Sequence, residues 1–467
     1  MKIPYSIGFK YYKNNSTFTQ IIDLFTKPIP RSFMLGSGFS EKFNLLLKSE
    51  RWKQNEFNEF QLKKMRSLLN HAYYNVPYYH SIFKNINFHP LDFNTLSDLK
   101  KLPLLDRDKV RSNFNNIISI DKTKYKPDLT FTAGSTGAPL EFYLDQNTRE
   151  IAYAVEWRQI FWGGVNNLNV KVAAFRGDLV FNNDKNTIYK NFNLYKQLSF
   201  NSYNINNSTI KKIVEKLNQF KPIVIKAYPH SIFLVSKLIE ENDLKLTYYP
   251  KVILTSSEQL LSTMRDKIEE IFNSKILDLY GQSEYIISFS QCEKGSYHNN
   301  REMGILDFIE DEWGYERIVG TSIWNYSFPF INYLIGDIID YKNNLTCDCG
   351  RTLPVINNIE GRINDVLIST NGSTIGGAAF DRFWKYRVSH NLKIQPKYIH
   401  FIQKSIDSMI IEIFMDSKIF TNHDLKIINE NLKSLLNNNL NIEFKYLDSS
   451  PNIKKWKIVE SRVTNNK

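Results

Sequence analysis

The chain has 467 residues, more than one hydrophobic core usually serves, and 42% of them are hydrophobic, so a large domain plus a smaller one is expected. Its formal net charge of +12 comes from basic residues scattered singly among Asn and Ile, which argues for a solvated surface and against a nucleic-acid partner. Three cysteines exclude a disulfide framework, and no run approaches the ~18 apolar residues of a spanning helix, so an integral membrane protein is excluded as well.

The opening segment Met1-Lys2-Ile3-Pro4-Tyr5-Ser6-Ile7-Gly8 carries neither an apolar signal region nor a small-residue cleavage site, and the expected location is cytoplasmic. Roughly the first hundred residues read as helical and loop-rich, with Phe57, Phe60, Leu62, Met65, Leu68, Leu69 and Ala72 at helical spacing. From Val170 onward, strand-like runs at 170–175, 223–227, 252–255 and 276–279 alternate with helical patterns near 231–241 and 263–272. Such alternation predicts crossover units, hence a largely parallel sheet with helices on its faces. Beyond Tyr280 the pattern turns to antiparallel strand pairs, 304–309 facing 316–323. A polar, glycine-rich stretch at 357–377 follows, then a hairpin-like pair (397–403, 409–415), a helix (425–436) and a strand (442–446). The fold class is therefore α/β, with a large amino-terminal domain over 1–360 and a small, mobile carboxyl-terminal α+β domain over 361–467.

Four segments carry chemistry. Between two strand-like runs lies Thr132-Ala133-Gly134-Ser135-Thr136-Gly137, whose glycines let successive N–H groups converge while hydroxyls add donors, a concavity suited to phosphate oxygens. A plain hairpin turn is the alternative, and a Walker loop is excluded because no Gly-Lys-Ser/Thr follows. Tyr280-Gly281-Gln282-Ser283-Glu284 comes directly after a strand, where loops at the carboxyl ends of parallel strands line ligand crevices. There Tyr280 offers a flat surface for a base, Ser283 a donor and Glu284 a hard oxygen ligand for magnesium; a polar turn after a core strand is the competing interpretation. Asp337 interrupts the apolar stretch Asn332-Tyr333-Leu334-Ile335-Gly336, and a pair of ribose hydroxyls would satisfy it, unless it simply begins a loop. Gly361-Arg362-Ile363-Asn364-Asp365 suits either a hinge with a phosphate-binding arginine or a surface turn.

The order and spacing of these segments resemble the adenylate-forming ligase superfamily, in the branch that holds phenylacetate–CoA ligases, deazaflavin-coenzyme adenylating synthetases and CapK-type capsular polysaccharide proteins. The likeness spans roughly residues 90 to 463 and includes Lys226-Ala227-Tyr228-Pro229-His230-Ser231, Thr255-Ser256-Ser257-Glu258-Gln259-Leu260 and Gly320-Thr321-Ser322-Ile323-Trp324-Asn325. It implies that Thr132, Ser135, Thr136 and Gly137 clasp ATP phosphates, that Ser256, Ser257 and Glu258 border adenine, and that Tyr280 stacks on it beside Gly281. It also implies that Ser283 donates to the α-phosphate, Glu284 holds Mg2+, Asp337 binds the ribose and Arg362 lies beside it. Lys454-Lys455-Trp456-Lys457 is similar to the family's carboxyl-terminal catalytic segment, with Lys455 as the catalytic lysine and Lys454 or Lys457 as alternatives. Departures are Asn332 and Leu334, where relatives often carry arginine, Asn364 at a usually acidic hinge, and Ile453-Lys454 in place of glycines.

Every cysteine belongs to a further set: Cys292, followed by His298, and the pair Cys347-Asp348-Cys349. Three sulfurs and one imidazole make up the donor complement of a closed structural Zn2+ site, although Cys-x-Cys is tighter than the usual pair and three unrelated buried thiols remain the alternative. The expected activity is ATP-dependent conversion of a small-molecule carboxylic acid to an acyl-AMP, followed by transfer to an amine, thiol or hydroxyl acceptor by a monomer or homodimer. The resemblance implies an acceptor in surface polysaccharide synthesis. Coenzyme A as acceptor and a non-catalytic nucleotide-binding partner are the alternatives.

Overall fold

The computed structural model describes residues 31–132, 140–176, 187–310, 316–340, 345–362, 366–369, 374–376, 380, 383–394, 396, 398–415, 419–436, 439–449 and 458–463. Its amino-terminal part is helical, as the spacing predicts: α1 (Arg31–Ser49), α2 (Gln54–Asn75) and α3 (Pro77–Asn85). In α2 the buried Phe57, Met65, Leu68, Leu69 and Ala72 form one stripe. Pro77 opens α3, where its missing N–H costs nothing. The antiparallel pair β1 (Asp128–Phe131) and β2 (Glu141–Leu144) follows, then α4 (Gln146–Trp162).

The main sheet has nine strands among the described residues. In chain order, β3 (Val172–Phe175), β4 (Tyr189–Phe192), β5 (Gln197–Phe200), helix α5 (Ile210–Phe220), β6 (Val224–Ala227), helix α6 (Pro229–Glu241), β7 (Val252–Ser256), helix α7 (Ser262–Phe272) and β8 (Ile276–Gly281) build its centre. Strands β5, β3, β6, β7 and β8 are parallel neighbours. Every residue of β3, β6 and β7 is buried, because helices cover both faces, and this is why they read as unbroken apolar runs. Antiparallel β9 (Ser288–Gln291) and β10 (Tyr297–Asn299) extend one edge.

A second, antiparallel sheet stacks β11 (Gly304–Glu310), β12 (Glu316–Ser322) and β13 (Tyr333–Asp340); the short β14 (Val355–Ile356) returns to β10, and β15 (Asn358–Arg362) joins β13. Gly304 makes the junction: a Cβ there would lie 2.0 Å from the Ile286 carbonyl oxygen, so only glycine lets the loop after β8 lie directly on this sheet. Asn332 takes a left-handed φ of 54°, a backbone angle that Asn tolerates and Arg does not favour, and its Nδ2 donates to the Leu102 carbonyl at 2.8 Å.

The short antiparallel pair β16 (Val366–Ile368) and β17 (Thr374–Gly376) precedes the carboxyl-terminal unit. There β18 (Tyr398–Ser405) and β19 (Ser408–Phe414) form the expected hairpin, helix α8 (Asn422–Leu435) follows, β20 (Asn441–Tyr446) pairs parallel with β19, and β21 (Val459–Ser461) pairs parallel with β18. Alternate residues of β19 are buried, and α8 buries Ile428 and Leu432. Thr421 caps α8 reciprocally with Asp424. The expected boundary at Gly361 falls at the end of β15, whose Gly361 and Arg362 pair with Ile338 and Asp337. No helix among the described residues is long and apolar enough to cross a membrane.

Candidate active site

Strand β8 runs two residues further than its apolar pattern indicates: Tyr280 and Gly281 still pair with Phe289 and Ser288 of β9, and so belong to the strand rather than to the loop. The pairing orients Tyr280. Its ring stacks on Phe289, centroids 5.1 Å apart and planes within 16°, and its hydroxyl donates to Asp337 Oδ2 at 2.6 Å. One hydrogen bond thus ties the main sheet to the second sheet through two residues that the resemblance places on the same nucleotide. Asp337 is buried, and the Arg362 backbone is its ladder partner.

Glu284, in the loop after β8, is also buried, and Tyr333 on β13 donates to its Oε1 at 3.4 Å. Its carboxylate is a hard oxygen donor at the carboxyl end of a parallel strand, which fits a magnesium ligand. Gly281 and Ser283 are exposed beside it. A Cβ on Gly281 would meet Ser288 at an ordinary 3.9 Å, so packing does not demand this glycine.

At the end of β7, Ser256 and Ser257 place their hydroxyls 3.3 Å apart, and Ser257 holds a left-handed φ of 72°, a strained angle for a residue with a Cβ. Glu258 Oε2 accepts from the His230 backbone N–H at 3.2 Å, so this carboxylate also stabilises the amino end of α6. Thr132 closes the neck of the expected phosphate loop: its N–H donates to the Leu140 carbonyl at 2.9 Å, and its Oγ1 accepts from the Leu140 N–H at 2.9 Å and from Arg107 Nη2 at 3.0 Å. Ser135, Thr136 and Gly137 lie outside the described residues, as do Asn364, Lys454, Lys455 and Lys457; for Arg362 only the backbone is described.

Two features escaped the sequence. Arg107 gave no signal, because nothing local links it to Thr132 25 residues on. The other is a trio at the carboxyl ends of β3 and β6, where buried Glu156 of α4 pairs with half-buried Arg176 at 2.9 Å and buried Lys226 at 3.3 Å. A charge directly after the apolar run of β3 was the available clue.

The cysteine–histidine set converges. Its four ligand atoms lie within 4.8 Å of one another. Cys292 Sγ is 3.6 Å from Cys347 Sγ, and Cys349 Sγ is 3.4 Å from His298 Nε2, spacings close to the edges of a tetrahedron built on metal–sulfur bonds of about 2.3 Å and metal–nitrogen bonds of about 2.0 Å. His298 Nδ1 faces the Leu353 carbonyl at 3.0 Å, which fixes the ring and leaves Nε2 for a metal. Burial holds His298 below its ordinary pKa, which favours the neutral form that a metal ligand needs. The donor set and geometry fit zinc, and the site ties the β9–β10 hairpin to the segment leading into β14.

Comparison with known proteins adds independent findings. A family model described as the CapK C-terminal domain matches residues 367–462. Protein CapK of Staphylococcus aureus is 24% identical over 400 residues, 85% of this chain and 87% of that protein. Phenylacetate-coenzyme A ligase of Pseudomonas putida is 23% identical over 336 residues, 66% of this chain and 71% of that enzyme. Among solved structures, 2-hydroxyisobutyryl-CoA ligase in the postadenylation state with 2-HIB-AMP has the same fold, with a TM-score of 0.68 at 15% identity, covering 89% of this chain and 91% of that one.

Proposed function

We propose that this chain, a member of the adenylate-forming ligase superfamily and an AMP-forming carboxylate ligase, activates a carboxylic acid as acyl-AMP and transfers the acyl group to an acceptor in capsular or O-antigen polysaccharide synthesis. The observation that carries the adenylation chemistry is the Tyr280–Asp337 hydrogen bond at the carboxyl end of β8, with buried Glu284 in the next loop. In this proposal ATP lies with its adenine against the end of β7 at Ser256 and Ser257 and beside Tyr280, its ribose on Asp337 and its phosphates at the loop whose neck Thr132 and Arg107 close.

A carboxylate oxygen of the acid attacks the α-phosphorus and pyrophosphate leaves. Arg107 holds Thr132 Oγ1, so the start of the phosphate loop keeps its place while charge moves, and a preset donor array needs no reorganisation at that moment. Glu284 would hold the magnesium ion, which when bound neutralises phosphate charge. Lys455 supplies a further positive charge to the phosphoryl oxygens. The carboxyl-terminal domain then turns about the segment at Asn364, withdraws Lys455 and admits the acceptor, and enclosure protects the mixed anhydride from water. Cys292, His298, Cys347 and Cys349 would hold a structural zinc, and four protein ligands would leave no position for substrate.

The polysaccharide acceptor follows from the resemblance to CapK-type capsular polysaccharide proteins, and 24% identity to protein CapK over most of both chains is in keeping with that resemblance. Coenzyme A is the second candidate, supported by the phenylacetate-coenzyme A ligase relative and by a solved neighbour that contains 2-HIB-AMP and CoA. Exchange of labelled pyrophosphate into ATP, run with a panel of carboxylic acids, tests the first step. Subsequent AMP release with coenzyme A or with amino sugars then separates the acceptors. Absence of acid-dependent exchange across the panel would overturn the adenylation chemistry.

A further inference from the structure

The adenylation chemistry makes no use of the charges at the carboxyl ends of β3 and β6. Glu156 accepts from Arg176 Nη1 through Oε1 at 2.9 Å and meets Lys226 Nζ through Oε2 at 3.3 Å, so one carboxylate is shared by two cations and the trio keeps one positive charge. Glu156 and Lys226 are 9% and 6% exposed, whereas the Arg176 side chain is partly open at 24%. Burial alone would push Glu156 up, but Lys226 and Arg176 hold it below the usual carboxylate range, so it stays ionised. The Lys226 ammonium lies 4.7 Å from the Tyr153 ring centroid and 5.1 Å from that of Trp157, faces that stabilise a cation but do not cancel its charge.

Arg176 Nε and Nη2 are buried and have no hydrogen-bond partner among the described residues. Those two nitrogens form one edge of the guanidinium, the edge that grips a carboxylate or phosphate with two parallel hydrogen bonds. Buried donors are costly unless an acceptor meets them. Strands β6 and β3 stand two and three places from β8 in the sheet, roughly 10 and 14 Å away. These strands run parallel, so Arg176 after β3 and Lys226 near the end of β6 stand on the same edge of the sheet as the loop that carries Glu284 after β8.

We propose that Arg176 and Lys226 form a subsite for a second oxyanion of the acid substrate, distal to the carboxylate that is activated. The substrate class is then an acid bearing an additional carboxylate or phosphate. This rests on the adenylation chemistry above for the position of the reacting end, but the trio's affinity for an oxyanion does not require turnover.

The test measures pyrophosphate exchange with glutarate, 4-phosphonobutanoate and pentanoate in the wild type, R176Q and K226M, and in parallel the binding of each acid without ATP by tryptophan fluorescence. The expected result is a kcat/KM about a hundredfold higher for glutarate or for 4-phosphonobutanoate than for pentanoate, with the ratio falling toward one in both variants. Preference between the two dianionic acids tells carboxylate from phosphate. Equal use of pentanoate, or a ratio unchanged in R176Q, overturns the subsite and leaves adenylation standing. Binding of glutarate or 4-phosphonobutanoate that R176Q abolishes, without exchange for any acid, keeps the subsite and overturns adenylation; neither binding nor exchange overturns the subsite. Melting curves check that each variant folds, and K226M, which leaves the Glu156–Arg176 pair in place, carries the test if R176Q does not.

Discussion

Replacing Tyr280 by Phe removes one hydroxyl and leaves the ring stacked on Phe289 at 5.1 Å, so it isolates the 2.6 Å hydrogen bond to Asp337. A hydrogen bond to an ionised acceptor contributes on the order of 1.5–3 kcal/mol, and water replaces it poorly here because Asp337 is buried. If the bond orients Asp337 toward the ribose hydroxyls, kcat/KM for ATP in Tyr280→Phe falls by roughly 10- to 150-fold. Tyr280→Ala also removes the flat ring and loses a further several-fold. The assay is pyrophosphate exchange at varied ATP and saturating acid, with Asp337→Asn and the double variant completing a cycle. Because the two side chains act as one unit, the double variant should cost little more than Asp337→Asn alone. An unchanged kcat/KM for ATP in Tyr280→Phe, with the loss appearing only in denaturant unfolding, would refute the reasoning: the bond would then be a tie between two sheets and not part of a nucleotide site.

Lys455→Ala should abolish acyl-AMP formation yet still pass the acyl group from a supplied acyl-AMP to the acceptor, a selective loss of about two to three decades; selective loss in Lys454→Ala or Lys457→Ala instead would shift the register, and no loss in any of the three would remove the carboxyl-terminal lysine from the mechanism. Elemental analysis should find about one zinc per chain, and Cys349→Ser should lose it and lower the melting temperature, whereas metal-free protein of full stability contradicts the site. Burial pushes the Asp145 carboxyl up to about 6, against the lowering effect of Ser327 and Tyr326 donors. Its folded pKa lies above the ordinary value near 4, so the penalty is full above pH 6 and relieved as pH falls toward 4; wild type should gain roughly 2–3 kcal/mol relative to Asp145→Ala between pH 7 and pH 4 in urea unfolding, and a constant difference would contradict this. Glu302 and Arg158 are fully buried and bonded at 2.7 Å, so Glu302→Ala should cost about 3–5 kcal/mol, while replacing both by apolar residues should recover most of the loss; equal losses in the two variants would argue against an uncompensated charge as the cause.

The order of elements was legible in the sequence because parallel strands covered on both faces are apolar throughout, as in β3, β6 and β7, while crossover helices such as α5 bury Ile210, Ile213, Val214 and Leu217 at helical spacing. The hairpin of β18 and β19 and the capping box at Thr421 were readable for the same reason: such rules act within a few residues. Tyr280, Glu284 and Asp337 stood out as polar residue types at or just beyond apolar runs, which located them along the chain but not relative to one another. Their meeting was decided by the tertiary structure. The Tyr280–Asp337 bond joins residues 57 apart, and it exists because β8 continues through Gly281 and Gly304 lets the following loop lie against the second sheet. Cys292 and His298 likewise reach Cys347 and Cys349 only through the pairing of β10 with β9 and β14. Arg107 and Glu156 gave no signal, and the position of Arg176 after β3 gave only a weak one, because a charge held by partners and a solvated one look alike in a sequence; the difference lies in what packs around them, and that is set by strand order and register rather than by neighbours in the chain.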